Sequence, residues 1–435
     1  MEIAEQAYLY YQSKLEETKS VDFHDLINES QKILEEVKEM KQKLSYKYII
    51  IDEYQDISLQ RFNLAKALSD VTDAKIIAVG DDWQSIYAFA GSKLKLFTEF
   101  KEIMGYGNIM RITHTYRNSQ ELIDIAGNFI QKNNKQFKKE LVSPKHIKYP
   151  VAIFAYSDDV KSNQIKGKKG ILEEKAQAIE KVLTTIVNRN KKEDLKVLLL
   201  GRYGFEGENL SRTSYFNIVE TYDGNKKIVS RKYPDLDIEY MTAHSSKGLG
   251  RDEVIIINQE SGIYGFPSGK VTDPVLNMVI HNDMSYEDAE ERRLFYVALT
   301  RTKNRVYIVA PKYSPSKFLL EIKDENNVYK DYEFNEVKTK NEKLGNYCPH
   351  CGFPLYYCGS KLSEKNMYIC SNEPELCGFI SNNMKGGKAS IKKCPECMDG
   401  YLFVKKMVNK EVYFLGCTNY TSDKKGCNYT EEIEK

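Results

Sequence analysis

Ile49-Ile50-Ile51-Asp52-Glu53-Tyr54-Gln55-Asp56 decides the fold. A short, continuously apolar run that ends in acids reads as a parallel strand covered on both faces, since such strands do not alternate. With Tyr48 it makes one strand, and Lys75–Val79 makes a second that ends at Gly80-Asp81-Asp82. Further strands are expected at Val197–Leu200, Glu239–Met241, Val254–Ile257 and Val306–Val309. Helices are expected over 2–19, 25–44, 119–132 and Tyr286–Thr302. In the second of these Leu26, Ile27, Ile33, Leu34, Val37 and Leu44 recur at helical spacing among charges. Strands that alternate with helices define an α/β chain with a largely parallel sheet. Ligands of such sheets sit at the carboxyl ends of strands, where these acids lie.

Asp52 and Glu53 suit metal-assisted hydrolysis: one carboxylate holds Mg²⁺ and the next orients and deprotonates a water. A bare acid pair would equally be a solvated strand end. The second strand leads into Asp82-Trp83-Gln84-Ser85-Ile86-Tyr87-Ala88-Phe89-Ala90-Gly91. Gln84 is a neutral amide able to sense a γ-phosphate. Tyr87 and Phe89 share a face if the segment is extended, as a base-stacking platform or as ordinary core aromatics. Then follow Thr115-Tyr116-Arg117-Asn118, Met241-Thr242-Ala243-His244-Ser245-Ser246-Lys247-Gly248-Leu249 and Glu290-Glu291-Arg292-Arg293-Leu294-Phe295-Tyr296-Val297-Ala298-Leu299-Thr300-Arg301. Phosphoryl transfer needs positive charge at the γ-phosphate, and Arg117 and Arg301 are the candidates. Either alone would read as a surface ion-pair partner.

The chain has 435 residues and is 41% hydrophobic, enough for two or three domains with real cores. Its net charge of +2 gives no global nucleic-acid signal, so any basic groove is local. No apolar run reaches the roughly 18 residues that a membrane span needs, and the acidic start at Met1-Glu2-Ile3-Ala4-Glu5 is unlike a signal peptide. The expectation is a cytoplasmic protein without membrane contact. All nine Cys fall between Cys348 and Cys427, and in that setting clustered Cys point to metal rather than to disulfides.

Five motifs in order over residues 48–310 resemble motifs II to VI of the UvrD/Rep family of superfamily 1 DNA helicases. Gly80-Asp81-Asp82-Trp83-Gln84 and the Asp56-Ile57-Ser58 that follows Gln55 are most like the helicase IV type. Asp22-Phe23-His24-Asp25-Leu26 is similar to the helix that precedes motif II there. The resemblance implies RecA-like P-loop NTPase domains and residue roles. Asp52 would serve Mg²⁺, Glu53 would be the base, and Gln84 the γ-phosphate sensor. Tyr116 would stack on adenine, with Arg117 and Arg301 as arginine fingers. Tyr87 and Phe89 would stack on single-stranded DNA, and Thr242 and His244 would couple DNA contact to ATP. It also implies 3′ to 5′ stepping on single-stranded or tailed duplex DNA. Repair, recombination and phage defence all use such engines.

The sequence departs from that family in four places. No Gly-x-x-x-x-Gly-Lys-Ser/Thr occurs, although backbone amides and a Lys of such a loop hold the β- and γ-phosphates. The family carries this Walker A loop before motif II. The expectation is a truncated or split gene, or a partner polypeptide that supplies the loop. Gly250 stands where the family has a ribose-contacting Glu, with Asp252 as a candidate substitute. Ala88 and Ala90 replace residues that are often basic or polar. About 35 residues separate Arg202 from motif V, too few for the 2B domain that larger relatives insert there.

Cys348-x-x-Cys351 precedes Cys370 and Cys377, and Cys394-x-x-Cys397 precedes Cys417 and Cys427. Each set offers two hairpin thiolate pairs, suited to tetrahedral Zn²⁺. Cys358 is left over. These units resemble the C-terminal C4 zinc fingers of type IA topoisomerases, which implies single-stranded DNA binding. The expected division is a partial N-terminal RecA-like domain at 1–110 and a second RecA-like domain at 111–320. A linker at 321–347 and two zinc ribbons at 348–435 would follow. The expected function is an ATP-dependent DNA helicase or translocase. The alternative is a non-hydrolysing single-stranded DNA-binding or regulatory protein derived from one.

Overall fold

The computed structural model describes residues 2–36, 44–134, 136–158, 167–190, 194–220, 226–269, 286, 288–332 and parts of 355–432. The chain forms two compact units: Met1–Lys148 with Ala243–Gly250 and Val275–Asn304, and Tyr149–Thr242 with Arg251–Pro274 and Arg305–Lys435.

The first unit opens with α1 (Glu2–Thr18) and α2 (Phe23–Glu36). Asp22 and Asp25 start α2 with a reciprocal cap: each carboxylate accepts the other's backbone N–H, at 2.8 and 3.1 Å. Strands β1 (Tyr48–Ile51) and β2 (Lys75–Ala78) pair in parallel, with Ile50 opposite Ile77. The crossover between them is α3 (Leu59–Thr72), whose N-cap Ser58 accepts from the Arg61 amide. Both strands stand where the sequence places them, but among the described residues one face is bare. Tyr48, Ile50, Ile77 and Val79 are exposed, Ile50 by 70%, whereas Ile49 and Ile51 are half-buried.

Beneath the other face Tyr54 packs on Ile57, Phe62 and Leu96, with the Phe100 ring edge-on at 5.5 Å. Helix α4 (Gln120–Ile130) buries Leu122, Ile125, Ala126 and Phe129. The sequence-expected helix over Tyr286–Thr302 is shorter, α7 (Ala289–Leu299), because Asp288 takes a left-handed backbone (φ 53°) that a helix cannot continue through. Phe295 of α7 meets Phe129 at 5.2 Å and Tyr296 meets Trp83 at 5.3 Å, both edge-on.

The second unit holds a six-stranded sheet. Its members are β3 (Val151–Tyr156), β4 (Lys196–Gly201), β7 (Asp237–Thr242), β8 (Arg251–Ile256), β9 (Thr302–Pro311) and β10 (Val328–Lys330). The order is β10-β3-β9-β8-β4-β7, with β10–β3, β3–β9, β4–β8 and β4–β7 parallel. Here the strands are covered, and β4 reads buried from Val197 onward. Helix α5 (Gly167–Arg189) lays Ile179, Val182, Leu183 and Ile186 on that core. Between β4 and β7 come a short helix α6 (Gly204–Leu210) and the hairpin β5–β6 (Phe216–Glu220 with Lys226–Ser230).

The sequence reading took 158–170 as a surface loop. Residues 159–166 lie outside the described residues, and α5 begins at Gly167. Residues 321–332, read as the start of the linker, are folded instead. Helix α8 (Lys317–Ile322) ends there and Val328–Lys330 adds an edge strand, too short for its pattern to show in sequence. The rest of the expected linker lies outside the described residues.

In the Cys region, β11 (Leu355–Gly359), β12 (Asn366–Cys370) and β13 (Ile380–Ser381) form one antiparallel sheet. β14 (Met384–Lys385) pairs with β15 (Lys388–Ala389). β16 (Leu402–Lys406), β17 (Tyr413–Cys417) and β18 (Thr430–Glu432) form a second three-stranded sheet.

Candidate nucleotide and metal sites

The chain turns sharply at the carboxyl end of β1. Glu53 sits at φ 50°, ψ 38°, a left-handed conformation that costs a side chain with a Cβ of order 1–2 kcal/mol. Its amide donates to Asp52 Oδ1 at 2.9 Å, and the Tyr54 amide donates to Val79 O at 2.9 Å. Both carboxylates stand exposed at the turn. Gln55 is fully buried and joins the two strand ends: its Oε1 accepts from the Asp81 amide at 2.9 Å, and its carbonyl accepts from the Ser85 hydroxyl at 3.1 Å. Gly80 has to be glycine here, since a Cβ would fall 2.3 Å from Gln55 Oε1.

A polar chain runs on from that turn. Lys139 Nζ pairs with Asp81 and with buried Asp82, and lies 4.9 Å from the Trp83 ring centre. The Trp83 indole N–H donates to Phe137 O at 3.0 Å, and the Phe137 amide donates to Asp82 Oδ2 at 2.9 Å. Burial raises the Asp82 carboxyl, and Lys139 pulls it back. Gln84 Nε2 donates to Asp81 Oδ2 at 2.8 Å, while Gln84 Oε1 accepts from Arg301 Nη2 at 3.1 Å. Arg301 is 1% exposed and also donates to Val297 O and Leu249 O. Burial pulls its guanidinium down to about 10, and the like charge of Arg117 acts the same way. Arg117 itself is exposed, with Nε 4.0 Å from where a Cβ on Gly250 would lie. The neighbouring Tyr116 ring is 76% exposed. Asn118 fixes this segment to the end of α7, donating to Thr302 O at 2.7 Å.

Lys247 enters the site from the motif V segment. Its side chain is 7% exposed; Nζ pairs with Asp56, donates to Gln84 O at 2.8 Å and lies 3.6 Å from Glu53 Oε2. Burial raises the Asp56 carboxyl, and the Lys247 hydrogen bond and charge oppose that rise. Tyr87 donates to His244 O at 3.2 Å. The Phe89 ring stands edge-on to Tyr87 at 6.0 Å and to His244 at 5.6 Å. The two rings are neighbours for a different reason than the sequence suggests, because Ala88–Ala90 is a 3₁₀ turn rather than extended chain. Phe89 is 61% exposed. Thr242 ends β7 and belongs to the second unit. Asp252 does not stand in for the Glu that Gly250 replaces, since its buried carboxylate accepts from the Lys196 amide within the sheet.

Beside Asp52 and Glu53 a hollow of about 420 Å³ opens between β1 and α3, lined by Ile49, Ile51, Leu64, Leu68, Asp56 and others. Arg61 is the only basic residue in that lining, so the hollow offers little to a polyphosphate.

In the second zinc-type unit Cys394, Cys397, Cys417 and Cys427 bring their sulfurs within 4.8 Å of one another. Cys394–Cys427 and Cys397–Cys417 are each 3.6 Å apart. A tetrahedral Zn²⁺ with Zn–S of about 2.3 Å places sulfurs about 3.8 Å apart, so these four fit it. Burial pushes the Cys417 thiol up to about 12, a cost that a bound cation removes by taking the thiolate. Of the first expected set, Cys348, Cys351 and Cys377 lie outside the described residues, and Cys370 ends β12.

Parallel α/β units with acids, an amide and a buried arginine gathered at strand ends define a RecA-like helicase-type chain. Residues 1–104 match the UvrD/REP helicase N-terminal domain and residues 204–313 the UvrD-like helicase C-terminal domain. Over these segments the chain belongs to the UvrD/Rep helicase family. Among similar proteins, DNA helicase IV of Escherichia coli (strain K12) is 32% identical over 310 residues, 71% of this chain and 40% of that protein. A probable DNA helicase of Mycoplasma pneumoniae is 27% identical over 327 residues, 73% of this chain and 55% of that one. ATP-dependent DNA helicase PcrA of Bacillus subtilis is 28% identical over 142 residues, 32% of this chain and 19% of that protein. The chain thus spans about 40% to 55% of the length of the first two.

Sequence reasoning passed over Gln55, Asp56, Lys139 and Lys247, although all but Lys139 stand inside the motifs it quoted. Their partners lie up to 191 residues away, as for Lys247 and Asp56, and no local pattern encodes such pairs.

Proposed function

We propose that this chain carries motor elements of an ATP-dependent DNA helicase or translocase that moves 3′ to 5′ along single-stranded or tailed duplex DNA. In this reading Asp52 holds Mg²⁺, Glu53 takes the proton of the attacking water and Gln84 reads the γ-phosphate. Arg117 and Arg301 supply positive charge, and Tyr116 stacks on adenine. Tyr87 and Phe89 meet bases, and Thr242 and His244 link that contact to the nucleotide. The Cys units hold Zn²⁺ and add DNA affinity. The loop that cradles the β- and γ-phosphates is then supplied by polypeptide outside these 435 residues, whose sequence holds no Gly-x-x-x-x-Gly-Lys-Ser/Thr run. We assign residues 1–110 and 111–320 to two RecA-like domains, without a 2B insertion.

The observation that carries the reading is the Arg301–Gln84–Asp81 chain, 3.1 and 2.8 Å, beside the Glu53 turn. It joins the motif III segment at the end of β2 to Arg301, a buried arginine of motif VI that a γ-phosphate would attract. A module that only bound DNA would need none of this. The test is ATP turnover of the purified chain with and without oligo-dT, beside its DNA affinity. DNA binding with little turnover is expected. Robust turnover lost in Glu53→Gln would overturn the need for an outside loop; absence of DNA binding would overturn the motor reading.

A further inference from the structure

One side chain joins the two cysteine sheets. In the β16–β17–β18 sheet β16 is an edge strand, and an edge strand turns one row of its N–H and C=O groups away from the ladder. Asn382 takes both groups of Val404 on that edge. Its Nδ2 donates to Val404 O at 2.7 Å, and its Oδ1 accepts from the Val404 amide at 2.8 Å. A carboxamide that exchanges both bonds with one residue copies a hydrogen-bonded pair of an antiparallel ladder. Leu402, two residues earlier on the same edge, donates its amide to Lys392 O at 2.9 Å.

Asn382 comes from the other sheet. It directly follows β13, the outer strand of β11–β12–β13. It is half-buried, and Ser381 before it is 2% exposed, so the amide stands on a covered base. The two ends of the bridge occupy matching places in the repeated Cys pattern. Ser381 lies opposite Tyr368, two residues before Cys370. Val404 lies opposite Leu415, two residues before Cys417. Cys370 and Cys417 are each the third cysteine of their set. The path from one set to the other therefore crosses a strand pair, the Asn382 amide and a second strand pair.

We propose that Asn382 locks the two cysteine sheets edge to edge, so that the two zinc units hold metal as one body. A small zinc unit is ordered by its metal. Loss of one ion loosens either the strand that Asn382 grips or the strand it stands on, and the bridge carries that loss to the other unit. Without the bridge each unit answers to zinc alone. The inference rests on the reading that both Cys sets bind Zn²⁺.

The test is the zinc affinity of the full chain, measured by competition with a chromophoric chelator. Cys397→Ser should leave the first site filled but weaken it roughly tenfold, the scale of two hydrogen bonds lost together. Cys370→Ser should weaken the second site by the same factor, because coupling between two binding sites is reciprocal. In an Asn382→Ala background, which should still load two ions, neither serine substitution should change the affinity of the remaining site. Asn382→Asp has the same shape but keeps only the acceptor, so its coupling should fall between the two. Sites that ignore one another in the wild-type background overturn the bridge while the two-site reading stands. Coupling that persists unchanged in Asn382→Ala and Asn382→Asp does the same. A wild-type chain that loads fewer than two ions overturns the two-site reading as well.

Discussion

Arg301 donates to the Gln84 side-chain oxygen across 3.1 Å, and the amide nitrogen of the same Gln84 donates to Asp81 across 2.8 Å. Both ends of the glutamine are therefore in use, which fixes its orientation. It also gives the buried guanidinium an acceptor in place of a phosphate.

Gln84→Leu should leave Arg301 short of that acceptor in a buried setting and lower the stability of the first unit by about 1–3 kcal/mol. Urea unfolding followed by Trp83 fluorescence reads this, because the only tryptophan lies in that unit. Gln84→Glu keeps an acceptor and should lose less. Equal midpoints for Gln84→Leu and the wild type would show that the bond contributes nothing.

Lys247 and Asp56 make a stability that depends on pH. Burial raises the Asp56 carboxyl, so the folded unit holds that proton more tightly than the unfolded chain does. Its ionised form therefore weakens the fold as pH rises through the folded value, and protonation relieves this as pH falls. Lys247 limits the penalty. Lys247→Met should thus destabilise more at about pH 7 than at about pH 5. A loss independent of pH would refute this pairing as its cause.

Zinc should be integral to the Cys region. Two Zn²⁺ per chain are expected by elemental analysis, and fewer would reject the double-ribbon reading. Cys397→Ser should lose one ion and melt the β16–β17–β18 sheet, since small zinc units fold only with metal. Retention of both ions in that variant would rule out Cys397 as a ligand.

The face of β1–β2 that is bare among the described residues should make the chain self-associate. Ile50, 70% exposed, and Ile77 stand opposite one another in the ladder. Ile50→Lys places a charge on that face and should reduce light scattering at high concentration with an unchanged Trp83 unfolding midpoint. Scattering equal to that of the wild type would locate the sticky surface elsewhere.

Much of this was readable from the residues themselves. The Ile49–Asp56 run and Lys75–Val79 each became a strand ending in acids, because a β-branched run next to a charged turn has few other folds. The C-x-x-C spacing of Cys394 and Cys397 gave the sulfur cluster directly. What escaped depended on distance along the chain. Lys139 reaches Asp81 from 58 residues away, and Asn382 reaches Val404 from another sheet. Tyr87 and Phe89 came together through a 3₁₀ turn that period-2 reasoning could not produce. Asp288 delayed the start of its helix by a backbone angle that its side chain does not announce.

In the proposed motor, the left-handed backbone of Glu53 sets folding against chemistry at one position. Glycine would sit there without the steric penalty, so any search for hardier variants will be drawn to residue 53. What it would find is a sturdier protein with no carboxylate at the turn. On that reading, keeping glutamate in that place means that the molecule tolerates a weaker turn for the sake of where one oxygen points.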